Sequence, residues 1–234
     1  VFRELDPKIQ ATMLRLLMDK KNEYIGNAIW TAAKGGAANA GITAPADSIQ
    51  IGRGKEKYFD GIIKRIIDNV NATDAATIAG GQCIVSGNTE LTDGAAVEKA
   101  LYAMWKKCPK QIRKKTSLAF VIGWDAWDAY DQYISDKQVK YSENTEVNRY
   151  RFKGKRIIPI VGIPEHTITL GEFNTGMESN LWMGVDFAND TEVLKVDRLQ
   201  SNSELFFFQL RMKMDVNIVR PGEIVIHTAY KKTV

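Results

Sequence analysis

Residues 204–220, ELFFFQLRMKMDVNIVR, place an apolar side chain at every even position from Phe206 to Ile218, with Gln209, Arg211, Lys213, Asp215 and Asn217 between them. Period-two alternation turns one face of a strand to a core and the other to water. About thirteen residues at roughly 3.3 Å each give a strand of about 43 Å. Ordinary strands run to about five or six residues. A strand this long needs an equally long partner over its apolar face.

The partner lies at the other end of the chain. Asp6-Pro7 supplies a helix start, since Asp can cap and Pro is tolerated at the first helical position. Ile9, Met13, Leu16, Leu17, Tyr24, Ile25, Ala28 and Ile29 then recur at helical spacing up to Lys34, and Gly35-Gly36 ends the pattern. About 28 residues at 1.5 Å each make a rod of about 42 Å. The matched lengths predict helix and strand side by side, an elongated subdomain built from both ends of the chain.

Between them the pattern is α+β. Residues 35–54 are rich in small side chains and read as a mobile loop. Tyr58-Phe59-Asp60-Gly61 leads into a short amphipathic helix with Ile62, Ile63, Ile66 and Ile67, and residues 72–81 read as surface. Thr92 or Asp93 can cap a helix carrying Val97, Ala100, Leu101, Met104 and Trp105, which Pro109 closes. LAFVI, residues 118–122, is a continuous apolar run of the kind found in a central buried strand. A helix over 125–134 follows, then a polar loop over 135–149. Strands are expected at 151–155 with a turn at Lys153-Gly154, at 157–161 interrupted by Pro159, at 167–170, 180–185 and 191–196, and last at 223–229 after Pro221-Gly222.

Composition is that of an ordinary soluble chain, 44% hydrophobic and 26% charged with formal net charge +4 over 234 residues. The lysines and arginines at 106, 107, 110 and 113–115 are spread over a helix end and a turn, and read as a solvated helix C-terminus. Cys83 and Cys108 have no metal-like spacing, so reduced thiols in an intracellular chain are expected. No apolar run is long enough to span a membrane as a helix, and no membrane partner is expected.

Chemistry-bearing patterns are scarce. His227 alternates with Ile224 and Ile226 and is expected to face solvent or an interface; His166 reads as a loop histidine beside Glu165. Asp125, Asp128 and Asp131 lie three apart and read as a solvated helix face rather than a cation site, which would draw oxygens from several directions. Gly52-Arg53-Gly54-Lys55 lacks the spacing of a phosphate loop. No catalytic, cofactor-binding or metal-ligating residue is assigned, and an assembly protein is favoured over an enzyme.

The order of elements resembles the major capsid protein of tailed bacteriophages, the family with the HK97 fold. Residues 7–34 resemble its spine helix, and Phe59-Asp60-Gly61-Ile62 the turn that follows. The helix over 93–107, the strand LAFVI and the helix over 124–134 are similar to its central segment. Lys153-Gly154-Lys155-Arg156-Ile157-Ile158-Pro159, Ile163-Pro164 and Asn180-Leu181-Trp182-Met183-Gly184-Val185-Asp186 resemble its run of strands before the long terminal strand and an Arg-Pro-Gly corner. The resemblance implies a peripheral domain from 1–36 and 197–220 and an axial domain from 55–196 and 221–234. It implies a structural, non-enzymatic shell subunit of a phage or prophage that assembles with copies of itself into hexamers and pentamers of an icosahedral head. Scaffold and portal proteins would be further partners, packaged DNA a weak non-specific one, and the virion its location after assembly in the host cytoplasm. The family carries an N-terminal arm and an extended hairpin loop ahead of the spine helix; both are expected to be absent from this chain, which opens at the helix. The alternatives are an encapsulin-like nanocompartment shell protein, an enzyme using Asp125, Asp128 and His166, or a tail or connector module.

Overall fold

The run LAFVIG has no polar side chain, and all of Leu118–Gly123 is buried. It lies inside a seven-stranded mixed sheet. The computed structural model describes residues 7–46, 48–53, 57–71, 82–137, 150–185, 193–198, 206–211 and 213–232. Among them are four α-helices: α1 (Pro7–Thr31), α2 (Ile62–Asp68), α3 (Gly94–Lys107) and α4 (Trp124–Lys137). The strands are β1 (Ile42–Thr43), β2 (Val70–Asn71), β3 (Cys83–Gly87), β4 (Leu118–Gly123), β5 (Arg151–Phe152), β6 (Lys155–Ile160), β7 (Thr167–Glu172), β8 (Leu181–Val185), β9 (Val193–Arg198), β10 (Phe206–Arg211), β11 (Met214–Ile218), β12 (Val225–Thr228) and β13 (Lys231–Lys232).

The large sheet has the order β2-β3-β12-β7-β4-β6-β5. β4 pairs in parallel with β6 and antiparallel with β7, while β12 lies parallel to β3 and antiparallel to β7. Helices α3 and α4 pack on it over a core of Leu101, Met104, Phe120, Trp127, Ile168 and Leu170. A second core joins the end of α1 (Ala28, Trp30) to α2, β3, β11 and β12 through Ile63, Cys83, Val216 and Ile226. The thiols of Cys83 and Cys108 are free and buried, and burial pushes the Cys83 thiol up to about 12.

Several expectations hold at the level of local chemistry. The turn between β5 and β6 has Lys153 and Gly154 at φ 51° and 76°, the twist a two-residue hairpin needs. Asp93 stands extended at the N-cap of α3, although its side chain makes no capping hydrogen bond. Asp125 and Asp128 are exposed. The segments 72–81, 138–149 and 187–190 lie outside the described residues.

Four expectations are corrected. His227 is buried, at 3% exposure, because the end of β3 and the segment after it, with Ser86, Gly87 and Thr89, lie against its ring. Its Nε2 donates to the Thr89 carbonyl at 3.1 Å, and burial, opposed by that bond, holds its pKa below the usual value. His166 clamps the same segment, its Nδ1 accepting from the Leu91 N–H at 3.1 Å. The stretch 35–54 is packed: Ala40, Ile42 and Ile51 are buried, β1 pairs with β13, and the Tyr230 hydroxyl donates to the Ile49 carbonyl at 2.7 Å. Pro159 does not interrupt β6, which runs on to Ile160; β5 ends opposite Arg156, so Pro159 sits on an open edge where a missing N–H breaks no ladder. The long strand occurs as two segments with different partners, β10 on β9 and β11 on β8. The partner side has seven residues, 186–192, between its paired segments where the late strand has two, 212–213, so one register cannot continue.

The corner between β11 and β12 is held by a buried carboxylate. Glu172, at 2% side-chain exposure, meets Lys115 Nζ at 2.7 Å and the Arg220 guanidinium at 2.9 Å, and accepts from the Ser117 hydroxyl. Burial alone would raise its pKa; the bonds from Lys115 and Ser117 and the charges of Lys115 and Arg220 outweigh it and hold the carboxyl below its ordinary range. Asn180 completes the corner, its Oδ1 accepting from the Arg220 N–H at 2.6 Å and its Nδ2 donating to the Arg220 carbonyl at 2.8 Å.

Two outcomes are expected. A Cβ on Gly94 would lie 2.1 Å from Tyr133 Cβ and 2.4 Å from the Ala129 carbonyl oxygen of α4. Gly94→Ala should therefore cost about 1–3 kcal/mol by overpacking and lower Tm by about 5 °C in a thermal melt. Glu172→Gln should cost about 2 kcal/mol, toward the low end for a buried pair because Lys115 and Arg220 are about a third exposed and screened. Glu172 is a depressed carboxyl, so its contribution is complete above the unfolded pKa and is lost as pH falls through the lower folded value. Denaturant midpoints measured against pH should thus fall more steeply on the acid side for the wild type than for Glu172→Gln.

Candidate assembly interface

The 25 residues of α1 span about 37 Å at 1.5 Å each. Its apolar stripe is covered only toward its C-terminus. Ala28 and Trp30 are buried, and Tyr24 and Ile29 pack against the core. Towards the N-terminus Met13, Leu16 and Leu17 are 41%, 60% and 38% exposed, although they continue the same stripe. The C-terminal half is anchored by close backbone approach: the Gly61 N–H donates to the Ala32 carbonyl at 2.8 Å and the Gly52 N–H to the Thr31 carbonyl at 2.8 Å.

The ribbon of β8 and β11 repeats the pattern. Directly opposed residues share a face, so Leu181, Met183 and Val185 stand with Ile218, Val216 and Met214. Leu181, Val216, Met214 and Ile218 belong to or pack on the core below, with Arg65 of α2 donating to both carboxylate oxygens of Asp215 at 2.9 Å. Met183 and Val185 lie beyond that cover and are exposed, as is Trp182 on the opposite face. The indole N–H of Trp182 is pinned to the Ser179 carbonyl at 2.9 Å, which holds the exposed ring in place.

Apolar side chains left in water on the N-terminal half of α1 and on β8 are what an interface needs before its partner arrives. Sequence periodicity named Met13, Leu16 and Leu17 as a buried stripe, and only the structure shows the stripe outrunning its own core. The exposure of Trp182 and Met183 had no sequence signal, because alternation cannot tell a covered face from an uncovered one. Among the described residues no cluster of three or more His, Cys, Asp or Glu side chains could hold a metal ion. Asp125 and Asp128 stand exposed on α4, whereas His166 is bonded to the Leu91 segment.

The sequence matches no family model, and no curated protein is a detectable sequence relative. Solved structures do match. The capsid of an empty GTA particle superposes over 94% of this chain at TM-score 0.56 and 14% identity, with 66% of that capsid chain covered. A satellite phage P4 procapsid matches over 96% at TM-score 0.54 and 10% identity, with 64% of its chain covered. The capsid of a native GTA particle matches over 94% at TM-score 0.50 and 14% identity, with 65% covered. The chain thus spans under two thirds of the length of these capsid proteins. Its fold, a mixed α/β architecture with four helices among the described residues and a mixed sheet, is that of phage capsid proteins, in agreement with the resemblance to the HK97-fold major capsid family.

Proposed function

We propose that this chain is a structural shell subunit, belonging to a tailed-phage or prophage major capsid protein of HK97-like fold, and not an enzyme. The observation that carries the reading is the capsid fold over 94–96% of the chain. The uncovered apolar ends of α1 and the β8–β11 ribbon support it. A shell repeats one subunit through heterologous contacts around symmetry axes, and such contacts need extended elements that reach past the subunit's own core. The proposed partners are copies of itself in hexamers and pentamers of an icosahedral head, with scaffold and portal proteins and weakly held packaged DNA besides. Its proposed location is the virion, after assembly in the host cytoplasm.

We assign residues 1–36 and 197–220 to a peripheral domain and 55–196 and 221–234 to an axial domain. The sharing of one core by Val216 and the end of α1 supports the first grouping, and the seven-stranded sheet supports the second. The same core also includes Cys83, Ile224 and Ile226, so the two units would move together.

Negative-stain electron microscopy of the complete gene product tests the reading: closed particles or capsomers are expected, and a monomer that persists at high concentration overturns it. Leu16→Glu and Met183→Glu should leave folding stability within about 0.5 kcal/mol, as exposed substitutions do. The same variants should abolish particle formation in the micrographs.

A further inference from the structure

Residues 99–124 and 150–164 hold eleven of the 32 basic residues of the chain and none of its 28 acidic ones, so the rest carries 21 basic against 28 acidic. The fold brings these two acid-free segments together. The rings of Tyr102 on α3 and Phe152 on β5 meet edge to face at 4.9 Å, and Lys155 Nζ donates to the Lys115 carbonyl at 2.6 Å. Where they meet is an open cleft of about 610 Å³ lined by Tyr102, Trp105, Lys106, Arg113 and Lys153.

The cations of the cleft are held in place by the protein. Arg113 lies 5.4 Å from the Trp105 ring centroid, and its guanidinium donates to the carbonyls of Cys108 at 3.1 Å and Lys106 at 2.9 Å. Lys153 Nζ stands 5.0 Å from the Tyr102 centroid. The turn that carries Arg113 adds Lys110 and Lys114, both exposed. Among the described residues none of these cations forms an ion pair. The weak overall charge of +4 conceals this concentration.

We infer that this cleft and its lysine rim bind the phosphate backbone of nucleic acid without regard to sequence. Both aromatic rings already carry a cation, so the cleft offers charge and guanidinium donors in place of a platform for base stacking. Lysine is depleted from protein–protein interfaces, where its desolvation is costly, whereas clustered lysine and arginine on one face is the electrostatic footprint of a polyanion site. The inference deepens the proposed weak DNA contact by naming the face that makes it, and it is judged on the unassembled chain, separately from particle formation.

The test is fluorescence anisotropy of labelled duplex DNA of about 30 base pairs against the chain, from about 50 to 200 mM salt. The face variant is Lys106→Gln/Lys110→Gln/Lys153→Gln, and the charge-matched control is Lys34→Gln/Lys57→Gln/Lys231→Gln. Thermal melts establish that both fold. The wild type should bind with a linear fall of log K against log salt. The face variant should bind roughly tenfold or more weakly, with the salt slope reduced by about one per lysine removed, while the control keeps most of both. Absence of binding by the wild type at low salt overturns the inference, as does an equal loss in the two variants, which would reflect net charge alone. Self-association lost in the face variant with DNA binding intact would overturn it in favour of an acidic protein surface.

Discussion

The insertion of β12 between β3 and β7 is the constraint on which the rest of the molecule depends. Four residues from the far end of the described chain complete both sides of the sheet, so the edges of β3 and β7 are closed only when they arrive. To enter there, the backbone must leave the β8–β11 ribbon and turn sharply at Arg220. The turn is fixed by charge: Glu172, at the end of β7, receives Arg220 from the corner and Lys115 from the approach to β4. One buried carboxylate thereby registers the ribbon against the sheet. An unpaired charge at that depth would be costly, so the corner has one good arrangement and few competitors.

Legibility in the sequence followed the range of the interactions. α1, α3, β4 and the Lys153-Gly154 turn were readable because periodicity, an unbroken apolar run or a turn dipeptide states them within a few residues. Glu172 was not, because nothing around it marks a strand end that meets a lysine 57 residues earlier and an arginine 48 residues later. His227 was misjudged for the same reason: an alternating strand looks half-exposed until Ser86 and Thr89 arrive from about 140 residues away. Pro159 looked like a break because the sequence does not say that the neighbouring strand stops short. The apolar ends of α1 and β8 were legible as apolar and illegible as uncovered. The basic cleft was visible only as scattered lysines, since α3 and the turn after it supply one half and the β5–β6 hairpin the other.

The two cores divide the work. The one under α3 and α4 is closed on itself, with aromatic contacts such as Phe120 on Phe152 at 5.7 Å and close helix packing at Gly94. The one under α1 and α2 is shared by the helix end, the sheet and the ribbon, and it does not reach Met13, Leu16 and Leu17 of α1. The outer parts of α1 and the ribbon therefore keep their shape from backbone hydrogen bonding and from their anchored ends. Their apolar side chains contribute little to the stability of the single chain.

The position of β12 also bears on the order of events during synthesis. The parallel partner of this strand ends at Gly87, and the pairing spans about 140 residues, a loop closure that is entropically costly and slow relative to helix formation. A partly translated chain, even one that has already formed α1 and β4, lacks the strand that unites the sheet with the ribbon. The sheet and the ribbon thus reach their final relative placement only after residues 225–228 have emerged. Topology itself acts as a timer on the closing of the seven-stranded sheet.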